Sequence, residues 1–338
     1  MPTPGHGPVW NTPPMTLHRA SGQWRLGLSL TLFTALCWAT LPIVLKIVLN
    51  VLDPITLTWF RFLVAAVFTA GWLRLRGGLR GPALGFGGLG RRGWLMLLVA
   101  ALMLVGNYVF YLLGVQYTTP ANAQLLIQLA PLLMALGGIW VFGERFGTAQ
   151  WLGLAVLVVG MALFFADQLL AAARAPGYVL GASLVVVAAI VWAVYALLQK
   201  QLLMRLGSTQ VLLVIYVIAS VALLPFATPS ALLRLDATYW ALLLFCAFNT
   251  IGAYGAFAEA LVHWEASRVS AVIAMTPLLC IGAAAAVAAL WPQWLAPERI
   301  TPLGWFGAAL VVVGSAAASL LGQARRSGEA DRAAATVQ

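Results

Sequence analysis

Apolar residues fill this chain in runs of about twenty, and short segments carrying charges, glycine or proline separate the runs. A helix rises 1.5 Å per residue, so about twenty residues cross a hydrocarbon core of roughly 30 Å. The pattern predicts an all-α membrane protein with ten spans, near residues 26–47, 54–73, 94–116, 120–142, 149–166, 178–200, 209–228, 238–261, 268–291 and 302–321. Residues 1–21 and 322–338 are polar and are predicted to be disordered tails.

Three predicted spans begin with a polar residue followed by proline: Asp53-Pro54, Thr119-Pro120 and Thr301-Pro302. An oxygen-bearing side chain before the first turn accepts hydrogen bonds from free backbone N–H groups, and proline fits the first helical position. We therefore expect helices to begin at these prolines.

The composition excludes a water-soluble fold. Of the 338 residues, 62% are hydrophobic and 8% are charged, against roughly 45–50% and about 25% in ordinary globular domains. The net charge of +10 comes from residues between the spans, with no basic face, so a nucleic-acid partner is not expected. The expected partners are the lipid bilayer and a small-molecule substrate, and the sequence leaves a homodimer open. The three cysteines and three histidines show no ligand spacing, so no metal or cofactor is predicted.

The basic residues also predict an orientation. An even number of spans places both termini on one side, and 14 Lys and Arg residues fall on that side in tails and loops. The other side has Arg174, Arg234 and Arg299, and Lys46 and Arg61 lie within spans. Because loops rich in Lys and Arg stay on the cytoplasmic side of the membrane, both termini are predicted to be cytoplasmic, in a bacterial-type inner membrane.

The chain contains an internal repeat. A shift of 154 residues aligns Trp38 with Trp192 and Lys46 with Lys200; it also aligns Glu144-Arg145 with Glu298-Arg299, Trp151 with Trp305, Gly153 with Gly307 and Gly160 with Gly314. A shift of 146 pairs Pro131 with Pro277. The predicted repeats are 22–170 and 171–321. Five spans per repeat is an odd number, so the second repeat enters the membrane from the opposite side and the repeats are inverted, as in many transporters.

These residues together resemble the EamA-type branch of the drug/metabolite transporter superfamily. The resemblance covers residues 26–321 and is carried by Ala35 to Trp38 with Lys46, Asp53-Pro54 with Arg61, Ala121 through Pro131 to Gly143-Glu144-Arg145, Gln150 to Gly153, and their second-half counterparts. It implies a ten-helix permease or exporter, rather than an enzyme, for an amino acid or related metabolite. It also implies a cavity lined mainly by spans 1, 3, 4, 6, 8 and 9.

Arg61 is the only strongly charged residue that the prediction places well inside a span, roughly 12 Å from the start of its helix. A charge there is costly, so the side chain is expected to face protein or water. It could anchor a substrate carboxylate, and a purely structural arginine is the alternative. Seven further residues are predicted to line the cavity, because each has a polar or aromatic side chain near mid-span. They are Trp38 and its equivalent in the repeat, Trp192, together with Asn107, Tyr111, Gln124, Gln128 and Asn249.

Three other residues are candidates for coupling and motion. Glu259 is a carboxylate within a predicted span and could bind a proton, although it lies near the end of that span with His263 and Glu265. Pro131 and Pro277 lie inside the fourth and ninth spans, where each is expected to delete a backbone hydrogen bond, bend the helix and act as a hinge.

Other functions stay open at this stage. Export of cationic drugs would need a carboxylate in the first span, which has none, and a nucleotide-sugar carrier would need several buried basic groups. An intramembrane lipid-modifying enzyme would need an acid–base cluster, for which Glu259, His263 and Glu265 are the candidates. No phosphate-binding loop motif is present, so transport would not depend on ATP hydrolysis by this chain. The sequence leaves the substrate, the direction and the coupling ion undetermined.

Overall fold

The computed structural model describes residues 23–76, 89–142, 147–172, 177–202, 206–263, 269, 272–273, 275–298 and 300–317, and all regular structure within them is helical. The helices are α1 (Trp24–Val48), α2 (Pro54–Leu75), α3 (Gly90–Tyr117), α4 (Pro120–Leu126), α5 (Leu129–Phe142), α6 (Thr148–Ala172), α7 (Tyr178–Leu202), α8 (Ser208–Leu223), α9 (Ala237–His263), α10 (Thr276–Leu290) and α11 (Pro302–Ala317). Two 3₁₀ turns, Leu224–Phe226 and Pro229–Arg234, connect α8 to α9. Both predicted tails, residues 1–21 and 322–338, lie outside the described residues.

Six of these helices, α1, α2, α3, α7, α8 with the turn after it, and α9, are long and apolar enough to cross a membrane. Large apolar side chains are exposed on the outer surface, including Trp140, Leu75 and Val221. Exposure of this kind is normal only where lipid is the solvent. The described part of the chain is thus an all-helical membrane fold, as the hydrophobic pattern predicts.

The predicted helix starts are confirmed in local detail. The Asp53 carboxylate accepts hydrogen bonds from the N–H groups of Ile55 and Thr56, at 3.0 and 2.9 Å. The Thr119 hydroxyl accepts one from the N–H of Asn122 at 3.3 Å. Helix α11 begins at Pro302. In each case the proline occupies a position where its missing N–H costs little.

The fourth span is not one helix, and this corrects the expectation for Pro131. Helix α4 ends at Leu126, and α5 begins at Leu129. The N–H of Gln128 donates to the carbonyl of Leu125 at 3.1 Å, a tight turn between the two segments. Pro131 is therefore the third residue of a new helix rather than a kink in a continuous one.

The ninth predicted span has the same feature. Helix α10 begins at Thr276, so Pro277 is its second residue. The Thr276 hydroxyl donates to the carbonyl of Ile273 at 2.5 Å, and Met275 lies in a turn. Since the first turn of a helix has no internal partners for its N–H groups, neither proline removes a helical hydrogen bond. The interruptions occur at equivalent places in the two halves.

Helices from the two halves of the chain are packed against each other in antiparallel pairs. Helix α1 crosses α9, where the Thr34 hydroxyl donates to the carbonyl of Ala253 at 3.3 Å. Helix α3 crosses α7, where the Asn107 amide donates to the carbonyl of Ala188 at 2.9 Å. Farther along α3, Gly114 lies against Gly181 of α7. Since Asn107 contacts Ala188 and Gly114 contacts Gly181, the two helices run in opposite directions. The core is thus shared between the halves.

Helices α6 and α11 are in close contact through glycines. A Cβ at Gly160 would lie 2.7 Å from the carbonyl oxygen of Gly307, and a Cβ at Gly314 would lie 2.6 Å from that of Gly153. Gly153, Gly160, Gly307 and Gly314 therefore allow these two helices to pack closely. The pairing of 153 with 314 and of 160 with 307 makes this contact antiparallel as well.

Candidate substrate site around Arg61

The Arg61 side chain is buried in the centre of the helix bundle. It projects from α2 and is only 3% exposed. Its Nε and Nη2 groups both donate to the Thr250 hydroxyl oxygen on α9, at 3.1 and 2.8 Å. The Thr250 hydroxyl in turn donates to the carbonyl of Cys246 at 3.0 Å. A neutral hydroxyl and a helix carbonyl therefore orient the guanidinium.

Aromatic rings enclose the same charge. The Arg61 Cζ lies 4.7 Å from the centre of the Tyr108 ring on α3, a cation–π distance. The Phe62 ring lies between those of Tyr108 and Tyr216, with centres 4.6 and 5.9 Å away. Tyr254, on α9, is near enough to interact electrostatically with Arg61. The surroundings are aromatic and only weakly polar.

The guanidinium of Arg61 has no acidic partner in the described part of the chain. The ion pair found there joins His263 and Glu259 instead. A guanidinium has five N–H donors, of which Thr250 accepts two, so several remain available. A buried cation without an anion carries a large desolvation cost, which a bound carboxylate would offset through two parallel hydrogen bonds. The arrangement is suited to binding an anionic group.

Asn249, the residue before Thr250 on α9, carries a buried acceptor. Its Nδ2 donates to the carbonyl of Cys37 on α1 at 2.8 Å, which fixes the orientation of the amide. Its Oδ1 is buried and has no hydrogen-bond partner. An unpaired buried acceptor is unfavourable unless a ligand or water supplies a donor. Asn249 directly precedes Thr250 on α9, and its amide contacts α1 whereas Thr250 contacts α2.

Trp38 forms an aromatic wall between α1 and α9. Its ring centre is 5.4 Å from that of Tyr254, edge to face, and 5.6 Å from that of Phe257. Trp38 is half-buried, so one part of the ring is accessible. Trp192, its equivalent in the repeat, is half-buried on α7 and is packed against the main core.

The other polar candidates lie on helices next to this centre. Asn107 is 8% exposed and binds the carbonyl of Ala188, which links α3 to α7. The Tyr111 hydroxyl donates to Oε1 of Gln124 at 3.4 Å, between α3 and α4. Gln128 is 9% exposed and lies in the interruption between α4 and α5. Asn107 and Tyr111 thus face different neighbours, although they are four residues apart.

Glu259 lies apart from these residues. Its side chain is 59% exposed, and its Oε1 is 3.1 Å from Nε2 of His263 one turn later on α9. This is a surface pair at the end of a helix. Glu265, the third member of the proposed acid–base cluster, lies outside the described residues.

Sequence reasoning did not find Thr250, Tyr108 or Tyr254, which all lie at the centre of the site. Their residue types are common in apolar helices, and nothing in the local pattern marks them. Thr250 follows Asn249 directly, and an adjacent pair of polar residues in the middle of a span was the available signal.

Comparisons with known proteins identify the class. The EamA-like transporter family matches the chain twice, over residues 25–166 and 179–320. The chain belongs to this family and is a membrane transporter, not an enzyme.

Individual relatives are consistent with this membership. The chain is 36% identical over 295 residues to the uncharacterized inner membrane transporter YhbE of Escherichia coli strain K12, covering 87% of this chain and 91% of the relative. It is 33% identical over 290 residues to an uncharacterized transporter of Haemophilus influenzae, covering 86% and 93%. A probable amino-acid metabolite efflux pump of Escherichia coli strain K12 is 25% identical over 299 residues, covering 84% and 92%.

A solved crystal structure supports the fold. It aligns with a TM-score of 0.59 at 19% identity and covers 88% of this chain and 98% of the other. At that identity the likeness concerns the fold alone.

Proposed function

We propose that this chain is a secondary transporter that exports an amino acid or a related small carboxylate across an inner membrane by alternating access. The observation that carries the proposal is Arg61, a buried guanidinium with free donors and no acidic partner among the described residues. A substrate carboxylate is the chemical group that best completes such a site.

The neighbouring groups favour a zwitterion over a simple anion. The unpaired Oδ1 of Asn249 can accept a hydrogen bond from a substrate ammonium. The accessible part of the Trp38 ring, with Tyr254 beside it, offers an apolar surface for the rest of the molecule. Together these groups match the carboxylate, ammonium and side chain of an amino acid. The relative named a probable amino-acid metabolite efflux pump supports the same class of substrate.

The proposed architecture is ten membrane spans in two inverted five-helix repeats, 22–170 and 171–321, with both termini in the cytoplasm. The antiparallel contact between α6 and α11 supports inversion, because these helices are the fifth spans of the two halves. Equivalent helices run in opposite directions only if one repeat is inverted. In such transporters the halves rock around a site near the midplane. Under this proposal Arg61 of α2 and Thr250 of α9, which are in direct contact, belong to that site.

The test is solute exchange in proteoliposomes that contain only the purified protein. A panel of labelled amino acids and carboxylate metabolites is expected to yield at least one exchanged solute. Arg61→Met should lower exchange by roughly 10-fold or more, as expected for the loss of a charged hydrogen bond of about 1.5–3 kcal/mol. Arg61→Lys should retain part of the activity because it keeps the charge without the planar fork.

Arg76→Met is the matched control. Arg76 lies at the end of α2, with its guanidinium 4.3 Å from the centre of the Trp72 ring and outside the site. It should exchange solute at the wild-type rate. Wild-type exchange by Arg61→Met, or a preference for cations that lack a carboxylate, would refute the assignment of Arg61.

A further inference from the structure

The segment between α10 and α11 folds back onto the first half of the chain. Leu295 is 6% exposed and is packed in a small core with Ile43 and Ile47 of α1 and Cys280 of α10. Three residues later, Glu298 lies beside the Thr119 hydroxyl and the Ala121 N–H. An acidic side chain of the second half is therefore inserted among residues of the first half.

The Glu298 carboxylate is buried and lacks a well-formed hydrogen bond. Both oxygens are inaccessible, and neither forms a hydrogen bond of standard geometry. Buried carboxylates are normally paired or hydrogen-bonded, because the desolvation of the charge is otherwise uncompensated. Glu298 therefore lacks the strong hydrogen bonds that would keep it permanently ionised. The proposed transport function does not use this residue.

Lys46 supplies a positive charge nearby but is already occupied. Its ammonium donates to the carbonyls of Val115, Gln116 and Thr118 at 2.7, 2.6 and 2.8 Å, which uses all three of its N–H donors. Lys46 of α1 thus closes the end of α3. Its charge interacts with Glu298 without a direct hydrogen bond.

Burial raises the pKa of Glu298 above that of a free glutamate, and the Thr119 hydroxyl, the Ala121 N–H and the Lys46 charge act in the opposite direction. Within the described ranges, the titratable groups that interact with it are Lys46 on α1 and the Cys280 thiol on α10. Small changes in packing can shift this balance, because desolvation opposes the Lys46 charge and the two nearby donors.

We propose that Glu298 is a proton-binding site that couples transport to the proton gradient, an inference that rests on the proposed transport function. A proton from the aqueous phase adds to one carboxylate oxygen and gives the neutral acid, and no other bond forms or breaks. Neutral Glu298 is no longer attracted to Lys46, so the segment 291–298 can separate from α1 and α4. Loss of the proton on the other side of the membrane restores the contact.

The first measurement does not require a substrate. Infrared spectra of the purified protein in lipid nanodiscs are recorded across a pH titration, in the carbonyl region of protonated carboxylic acids. The expected result is a band that titrates above the range of free glutamate. It should vanish in Glu298→Gln and persist in Glu259→Gln, the matched control at an exposed pair. Lys46→Gln should raise the midpoint by roughly one pH unit, because it removes the charge that favours the carboxylate.

Two results would overturn the proton site: a band that is unchanged in Glu298→Gln, or a midpoint that does not respond to Lys46→Gln. Lys46→Gln leaves Glu298 itself unchanged, so the shift of its titration midpoint can be measured even if Glu298→Gln does not fold. That shift alone shows whether the band belongs to Glu298. Size-exclusion chromatography identifies folded protein in each case.

The second measurement tests coupling in proteoliposomes. A pH gradient should accelerate solute movement by the wild type, whereas Glu298→Gln should exchange solute at equal pH and ignore the gradient. Acceleration of Glu298→Gln by the gradient would refute coupling at this residue. If the wild type moves none of the amino acids or carboxylates, the proposed transport function fails, whereas the infrared titration separately decides whether Glu298 binds a proton.

Discussion

At the scale of single residues, the notable feature is that Arg61 is held by neutral groups. A charged arginine in the middle of an apolar span costs at least about 2.5–3.5 kcal/mol on insertion scales. Thr250 and the ring of Tyr108 offset part of this cost, and neither neutralises the charge. The positive charge thus stays available to an anion, whereas a salt bridge to aspartate or glutamate would compete with the substrate.

Thr250→Val tests this role. Valine has nearly the same shape but lacks the oxygen that accepts from Nε and Nη2 of Arg61. We expect a loss of stability of about 1–3 kcal/mol, the cost of leaving a buried donor unsatisfied. Thr250→Ser keeps the hydroxyl and should remain close to the wild type. Thermal unfolding in detergent, followed by tryptophan fluorescence, measures both variants, and equal stability of the valine and serine variants would contradict the assigned role.

The site was only partly predictable because its partners depend on tertiary packing. Arg61, Asn249 and Trp38 stand out in the sequence, since a charge, an amide or a tryptophan deep in an apolar span needs an explanation. Thr250 and Tyr108 do not stand out, and only the crossing of α2 with α9 and α3 brings them to Arg61. Glu298 was noted as part of the repeat, and its burial could not be read from a loop position.

At the scale of helices, most ends were predictable, whereas the interruptions were not. Asp53 and Thr119 carry a local code for a helix start that the structure confirms. An apolar run does not reveal whether its backbone is continuous, because residues 126–129 are as hydrophobic as their surroundings. The turn between α4 and α5 depends on neighbouring helices that satisfy its backbone groups.

The prolines stay candidates for hinges, now with a different physical basis. Pro131 and Pro277 each follow an interruption and begin a new helical segment. Alanine at either position would supply an N–H and allow the two segments to join into one helix. If the interruptions are hinges, Pro131→Ala and Pro277→Ala should slow solute exchange several-fold and change equilibrium binding much less.

The matched control for the hinges is Pro54→Ala. Pro54 also begins a helix, α2, but a cap at Asp53 rather than an interrupted span precedes it. Exchange rates per folded molecule are measured in proteoliposomes with binding measured in parallel. Wild-type exchange by both Pro131→Ala and Pro277→Ala would mean that the prolines serve architecture alone.

The glycine contact between α6 and α11 permits a quantitative prediction. Alanine at Gly160 would place its Cβ 2.6 Å from the backbone nitrogen of Val311, so the two helices must move apart. We expect a loss of about 1–3 kcal/mol from overpacking. Gly252→Ala is the matched control, because nothing lies within 4 Å of its added methyl group. That variant should be neutral or gain up to about 1 kcal/mol in helix propensity. Thermal unfolding in detergent compares the two, and equal stability would show that the contact is loose.

At the scale of the whole molecule, the two halves share one core. Helix α1 of the first half is packed on α9 of the second, and α7 of the second is packed on α3 of the first. These are equivalent pairings under the repeat of the sequence, so the packing has an approximate twofold relation. A duplicated sequence predicted the repeat, but the exchange of helix partners between halves requires long-range contacts that no local pattern encodes.

The orientation of the molecule is the remaining prediction and follows from charge. The 14 basic residues in the tails and loops of one predicted side, against three on the other, place both termini in the cytoplasm. A phosphatase fused after Gln338 should be inactive in bacteria, because that enzyme folds only outside the cytoplasm, and a fluorescent protein fused there should be bright. As an internal control, a phosphatase fused after Arg234, in the connection between α8 and α9, should be active, because this connection is predicted to lie on the opposite side.

An active fusion at Gln338 together with an inactive one at Arg234 would reverse the orientation. Activity at both positions would instead show an even number of crossings between them, and with it an error in the ten predicted spans. Both outcomes bear on mechanism, because inversion of the repeats follows from an odd number of spans in each half.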